Sequence, residues 1–369
     1  MLMTVLRTVL TPSALTSLAL GWLGVLALAA AAPMLAAAPP AITWLALAGV
    51  VAVILVAAFG VVAQAEALAH RLGDPYGSLI LTISIVLVEV ILIASVLLGP
   101  GEHATIARDS VMAVTMIILG LVVGLSLVVG ARGGARVQQS GTNSYLLMIV
   151  LLTAVAFVVP SFLPGGTYTG TLALVVAAVS IVGYGLFLAR QLGAHAADYR
   201  EIGESAHEHR YVREVVRTHG GELVARTLLL VATVVPIVLM SHDMSTLMNT
   251  AFTEAGVPLA LSGVVIAAIV FMPETLTTLR AARAGEFQRV VNLCLGALVS
   301  TVGLTIPVVL VIGEITGAHV VLAPELTQLL LVGAMIAATI WAFWGGKTTR
   351  ARGIVPLALF AAYFVMIAL

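Results

Sequence analysis

The run GSLILTISIVLVEVILIASVLL, residues 77–98, is apolar enough to cross a bilayer yet carries one carboxylate, Glu89, at its middle. An ionisable side chain at that depth costs about 2.5–3.5 kcal/mol on insertion scales, so its position demands a partner or a task. A second run, LALSGVVIAAIVFMPETLTTL, residues 259–279, repeats the arrangement with Glu274 directly after Pro273. The other carboxylates fall in or beside polar connections. Glu89 and Glu274 are therefore expected to meet within the membrane and form one cation site.

The surroundings of these two runs are equally apolar. Hydrophobic residues make up 61% of the chain and charged residues 9%, against about a quarter charged in a soluble domain. An all-α polytopic membrane protein follows. The formal net charge is zero, which gives no bias toward nucleic acid as a partner. Cys294 is the single cysteine, so neither an internal disulfide nor a thiolate metal cluster is available.

A membrane-spanning helix needs about 20 apolar residues, and eleven such windows fit the chain. Their limits are 13–31, 41–63, 79–98, 110–130, 144–162, 170–189, 224–241, 258–279, 290–312, 327–344 and 354–369. The first, preceded by Arg7 and followed by AAAPMLAAAPP, also has the outline of a cleavable signal peptide. It is read as a retained span. With the N-terminus inside, Arg7, Arg71, Arg132, Arg136, the cluster from Arg190 to Arg226, Arg280, Arg283, Arg289, Lys347, Arg350 and Arg352 are all cytoplasmic. That is the pattern of the positive-inside rule, and it puts the C-terminus outside. Only Arg108 falls on the outer side. The outer loops otherwise carry Asp243, Glu254, Glu314 and Glu325.

One connection, residues 191–223, is long and polar and divides the chain. The expected organisation is an extra N-terminal helix in 1–40, a five-helix repeat in 41–190, a cytoplasmic connection in 191–223 and a second five-helix repeat in 224–369. Because five is odd, the two repeats are inverted in the membrane, the arrangement in which transporters bind substrate near the bilayer midplane. Faint internal echoes agree. Gly77 and Ser262 each lie twelve residues before a buried glutamate, and VGLSL at 123–127 recurs as VGLTI at 302–306.

Two carboxylates in a dry cavity repel one another and favour protons, while a hard cation such as calcium seeks six to eight oxygen ligands. Competition for the same oxygens couples proton flow in one direction to cation flow in the other. Further ligands are sought within helical reach: Thr82, two turns before Glu89, and Thr277 and Thr278, three and four residues after Glu274. Pro273 breaks the helix hydrogen-bond ladder at the site and frees a carbonyl near Ile269. Ser126 and Thr305, at matching places in the echo, and Asn292 complete the candidates. The alternative for all these hydroxyls is bonding back to their own helix or to a neighbouring one.

The segments AEALAHRLGDPYGSLILTISIVLVEVILIASVLL, VGLSLVVGARGGA and SGVVIAAIVFMPETLTTLRAARAGEFQRVVNLCLGALVSTVGLTIPVV, with the ending LALFAAYFVMIAL, resemble the bacterial calcium/proton antiporters of the ChaA type. These belong to the cation/proton exchanger branch of the calcium:cation antiporter superfamily. The resemblance implies an extra first span, two inverted five-span halves, an acidic connection and one essential glutamate per repeat, at Glu89 and Glu274. It also implies a multi-pass protein of a bacterial inner membrane, carrying calcium or, in some members, sodium or potassium. Two departures stand out. Val86 and Phe271 occupy the positions three before each glutamate where many members have asparagine, and Val88 replaces the proline before the first glutamate.

The expected function is secondary active exchange of calcium, with sodium or potassium as further cargo, for protons, without a cofactor. A passive cation channel is the alternative, and a membrane-embedded hydrolase a remoter one. No HExxH, no G-x-S-x-G and no P-loop occurs in the chain.

Overall fold

The computed structural model describes residues 8–35, 38–72, 76–98, 104–193, 195–201, 208–258 and 260–368. Eleven helices dominate them: α1 Pro12–Leu35, α2 Pro40–Leu72, α3 Tyr76–Leu97, α4 Ile106–Gly130, α5 Gln139–Phe162, α6 Gly170–Leu192, α7 Glu208–Ala255, α8 Ala260–Ala284, α9 Phe287–Thr316, α10 Leu326–Ala342 and α11 Arg350–Ala368. Ten are long and apolar enough to cross a membrane, and α3 contributes a shorter apolar stretch, Val86–Leu97. Each of the eleven windows of the sequence overlaps one of these helices along most of its length. The protein is an all-α, multi-pass membrane protein.

Helix α7 is much longer than its apolar window. It begins inside the polar connection at Glu208 and runs 48 residues, with a non-helical residue at His219 (φ −118°, ψ 16°) just before Gly220 and Gly221. Its far end passes Asp243 and Glu254, and the chain turns only at Gly256, which adopts φ 66°. Polar residues without a breaker continue a helix beyond the lipid as readily as apolar ones, so hydropathy marks the buried middle and not the ends.

The helices fall into two compact units. One comprises residues up to 102 together with 206–262, and the other comprises 103–205 together with 263–369. Each unit draws on both halves of the chain. In the first, α1 and α3 pack on α2 and α7, which lie along one another. At the Arg71 end of α2, Glu222 of α7 is buried and holds two guanidinium groups, Arg71 at 3.1 Å and Arg226 at 3.0 Å. Arg226 also donates to Gln64 Oε1 and the Thr8 carbonyl. A buried carboxylate shared by two cations is a strong clamp, since removing the carboxylate leaves both guanidinium groups without their anion.

In the second unit, α4 and α9 form the centre, and most of their residues are buried. These helices carry the VGLSL and VGLTI echo. Helices α4 and α8 run parallel: Gly263 near the start of α8 lies against Asp109 and Ser110 near the start of α4, and Gly130 at the end of α4 lies against Ala282 near the end of α8. Three helices, α5, α6 and α7, lie between them in sequence, and an odd number of intervening full crossings requires this parallel sense.

The α4–α11 contact depends on glycine. A Cβ on Gly353 would stand 2.6 Å from the Gly124 carbonyl oxygen and 2.8 Å from Leu127 Cβ, closer than real Cβ atoms come. Close helix approach through small residues is the main way helices associate where lipid removes the hydrophobic drive. A two-residue ladder below it pairs Ala135 with Thr348 and Arg136 with Lys347, joining the α4–α5 and α10–α11 connections. Arg350 reaches the Val129 carbonyl at the end of α4, while Arg352 donates to the Ala342, Trp344 and Lys347 carbonyls after α10. Both arginines satisfy orphan carbonyls at the negative ends of helix dipoles.

Gly353→Val is expected to overpack this contact and cost about 1–3 kcal/mol, read as a lower melting temperature in detergent. Gly183→Ala, which meets no atom within 4 Å, should leave that temperature unchanged.

Candidate cation-binding site

Both membrane carboxylates are covered by protein. Glu89 of α3 is 0% exposed, flanked by the buried residues Val86, Val88, Leu92 and Ile93. Glu274 of α8 is 4% exposed. Neither side chain is presented to lipid, which is the first requirement for an ionisable group at this depth.

Glu274 opens on a small cavity lined by Phe271, Thr275 and Thr278 of α8, Ile118 and Val122 of α4, and Cys294 and Ala297 of α9. Residues 271, 274, 275 and 278 follow the i, i+3, i+4, i+7 spacing and so share one face of α8. The space leaves about 10 Å³ for the centre of a water-sized sphere, room for about one water molecule or one bare cation. Its α4 wall is a π-helical turn, Ile117–Val122, inside an otherwise α-helical span. Such turns widen a helix by one residue and recur at functional sites.

The structure distributes the other sequence candidates unevenly. Thr278 is fully buried on the cavity wall. Thr277 donates to the Pro273 carbonyl at 3.3 Å, and Thr275 donates to the Phe271 carbonyl at 2.7 Å, so both hydroxyls bond back into α8 around the proline. Ser126 is buried on α4 one turn beyond Val122, and Thr305 is buried on α9. Successive α-helical residues turn by about 100°, so Thr305 shares the face of α9 that carries Cys294 and Ala297. Thr82 lies on α3 with its side chain outside the described residues.

Asn292 faces the opposite way, two residues and about 200° from Cys294. Its amide is held at both ends: Nδ2 donates to the Tyr199 carbonyl at 2.6 Å, and Oδ1 accepts from Gln288 Nε2 at 3.1 Å. Gln288 in turn accepts from the Gln138 backbone at 2.7 Å. Beside them Glu201 accepts the backbone N–H groups of Gln288 and Arg289 at the start of α9. An anion there satisfies orphan donors and the positive end of the helix dipole. Burial pushes the Tyr199 phenol above its ordinary 10.0, so it stays neutral in this cluster. Asn292 thus ties the connection to α9, on the side away from the cavity.

Near the start of α4, Arg108, the expected exception to the charge pattern, donates to Asp109 Oδ1 at 2.8 Å and to the Ala323 carbonyl at 3.0 Å. Thr105 takes the other oxygen of Asp109 at 2.8 Å. A paired arginine of this kind contributes little to the orientation signal of free positive charge. Cys294 and the π-turn were not candidates from sequence. The face of α9 that joins 294, 297 and 305 could have pointed to the cysteine; the π-turn has no sequence signature.

A multi-pass helical bundle with carboxylates buried inside it and a small cavity beside a proline-containing helix is a framework for ion transport. The chain belongs to the sodium/calcium exchanger protein family, whose model matches residues 42–193 and 226–369, one stretch on either side of the connection. It is 34% identical over 322 residues to the sodium-potassium/proton antiporter ChaA of Escherichia coli (strain K12), covering 85% of this chain and 86% of that one. Among solved structures it is similar to native YfkE, with a TM-score of 0.68 at 17% identity over 95% of this chain and 99% of that one. It is also similar to the H+/Ca2+ exchanger CAX, with a TM-score of 0.66 at 15% identity over 96% and 89%. The inverted pair of five-helix repeats is typical of this fold.

Two substitutions separate the two faces of α9 and α8. Thr278→Val, which removes a cavity hydroxyl worth about 1 kcal/mol, should raise the half-saturating cation concentration severalfold in a transport assay. Asn292→Ala should leave that concentration near its original value and instead speed limited proteolysis between residues 195 and 208.

Proposed function

We propose that this protein is a proton-coupled cation antiporter in which Glu89 and Glu274 bind the transported cation and protons in turn. The observation that carries the reading is the Glu274 cavity: a buried carboxylate and a hydroxyl at a proline break, with room for one ion. A protonated carboxylate is neutral and tolerates the dry site. A deprotonated one needs a cation to replace lost water. Alternation between the two forms is then the coupling, and an empty charged site is the costly intermediate that the cycle avoids.

Sequence logic supports extending this to Glu89, since α3 and α8 hold equivalent places in the two repeats and run in opposite senses. We propose that 41–190 and 224–369 act as the two halves of the exchanger, with one carboxylate from each serving the same cation. The positive-inside pattern supports a cytoplasmic N-terminus and an outer C-terminus in a bacterial inner membrane, with calcium expelled and protons returning.

Calcium is the leading cargo. Two carboxylates neutralise a divalent ion, and the H+/Ca2+ exchange named for CAX supports it. Sodium and potassium are the second reading, favoured by the cargo named for ChaA. Val86 and Phe271 supply no side-chain oxygen near either carboxylate, a ligand-poor arrangement that suits an ion with modest coordination demands.

In liposomes with an acid lumen, external calcium, sodium or potassium should dissipate the pH gradient, whereas a channel would pass the cation without moving protons. Glu89→Gln and Glu274→Gln should each abolish exchange while inserting normally, because the amide mimics the protonated carboxyl. Normal rates in both variants would overturn the site. In the intact protein the apparent cation affinity should rise with pH, since only the deprotonated carboxylates bind the ion.

A further inference from the structure

A second cavity lies at the far end of α9, in the same compact unit as the first. Its walls are the turn that leads into α6, with Thr167, Tyr168 and Thr169, and the end of α9 with the chain after it, including Glu314, Gly317 and His319. Ala297 of α9 lines the Glu274 cavity and Leu310 lines this one, which the helical rise separates by about 20 Å along the axis. The volume is about 190 Å³, more than the roughly 150 Å³ that takes a benzene-sized guest. That suits a small molecular group. No set of three His, Cys, Asp or Glu side chains among the described residues is placed to hold a metal ion.

The lining favours positive charge. Glu314 accepts the Gly170 N–H through Oε1 at 2.8 Å, which fixes the carboxylate, while its Oε2 has no partner among the described residues. Helix α9 ends here, with Gly317 in the left-handed conformation (φ 73°), so its last carbonyls and the negative end of its dipole lie at the cavity. Thr169, at the start of α6, makes no side-chain capping bond. No lysine or arginine is among the described lining residues.

The walls are also fixed in advance. The Gly166 carbonyl accepts both the Leu322 and the Ala323 N–H, and the Tyr168 phenol donates to the Val155 carbonyl at 2.7 Å. Apolar side chains stand exposed close by in sequence: Ile315, next to Glu314, is 79% exposed, and Phe162, in the connection that leads to Thr167, is 83% exposed. In a multi-pass protein such side chains meet lipid. A polar cavity edged in this way is open to a lipid headgroup as well as to a solute.

We infer that this cavity binds a primary ammonium group, as an ethanolamine lipid headgroup or a free small amine carries, with Glu314 as its counter-ion. The three N–H donors of such a group match a carboxylate oxygen, a threonine hydroxyl and the carbonyls that end α9. A quaternary ammonium has the same charge and no donor, so the site discriminates against it. Occupancy joins the turn before α6 to the end of α9 and stabilises the folded protein. The inference concerns a separate cavity and does not depend on the reading of Glu274.

The test uses purified full-length protein stripped of lipid in detergent. Its melting temperature is followed against ethanolamine or choline, and separately against phosphatidylethanolamine or phosphatidylcholine in mixed micelles. In at least one of these pairs the primary amine should raise the melting temperature saturably, at a half-saturating concentration about tenfold or more below that of its quaternary counterpart. A rise confined to the lipid pair assigns the ligand to the membrane, and a rise with free ethanolamine assigns it to soluble amines; each supports the site. Glu314→Gln, whose amide oxygen retains the Gly170 bond, should raise the half-saturating concentration about tenfold or more. Glu254→Gln, which removes an exposed carboxylate elsewhere, should leave it unchanged. No rise with either primary amine, equal rises with the quaternary partners, unchanged binding by Glu314→Gln, or an equal loss in Glu254→Gln would overturn the inference. The comparison of primary with quaternary amines is made on the wild-type protein, so it decides the matter even where Glu314→Gln fails to fold.

Discussion

A carboxylate inside a bilayer is the constraint on which the rest of this structure turns. Left facing lipid, Glu89 or Glu274 would cost several kilocalories per mole, about 2.5–3.5 on the mildest scales. The chain answers by covering both with protein, 0% and 4% exposed. Covering them requires neighbours on the carboxylate-bearing faces of α3 and α8, which a lone span cannot supply. Three other carboxylates are handled by the same rule near helix ends. Glu222 is clamped by Arg71 and Arg226, Asp109 by Arg108 and Thr105, and Glu201 by the backbone donors that open α9. Glu274 differs from these in opening on a small cavity.

Helices α4 and α9 make that room. Both are buried along most of their length, and the α4 wall of the cavity is a π-turn that departs from regular helix geometry. The close seat of α11 on α4 through Gly353 and Gly124 supports the wall from behind. Pro273 acts on the other side, since its ring removes a ladder bond just where Glu274 projects. Thr275 and Thr277 then return their hydroxyls to carbonyls on either side of the break. The local helix is thus loosened by proline and re-satisfied by threonine, a balance that lets a polar site exist without unmaking the span.

Much of this was legible in the chain because lipid makes the signal strong. Eleven apolar runs correspond to eleven helices, and the parallel packing of α4 and α8 agrees with the three crossings counted between them. The carboxylates stood out because nothing else in their runs is charged. What could not be read depends on helix rotation and on tertiary contact. Asn292 and Cys294 differ by two places in sequence, yet one anchors the Tyr199 turn and the other lines the cavity. No hydropathy pattern separates them until the neighbours of α9 are known. The setting of Arg108 was hidden as well, because its second acceptor, the Ala323 carbonyl, comes from the far end of the chain. The 48-residue course of α7 was hidden because polar residues extend a helix silently.

Cation and proton are held to compete for the same carboxylates, and that competition is directly measurable without transport. Purified protein in weakly buffered detergent solution, titrated with calcium or sodium under a pH indicator, should release protons in proportion to the ion bound, and a variant carrying both Glu89→Gln and Glu274→Gln should release none. Binding of the ion by the wild-type protein with no accompanying proton release would contradict the account.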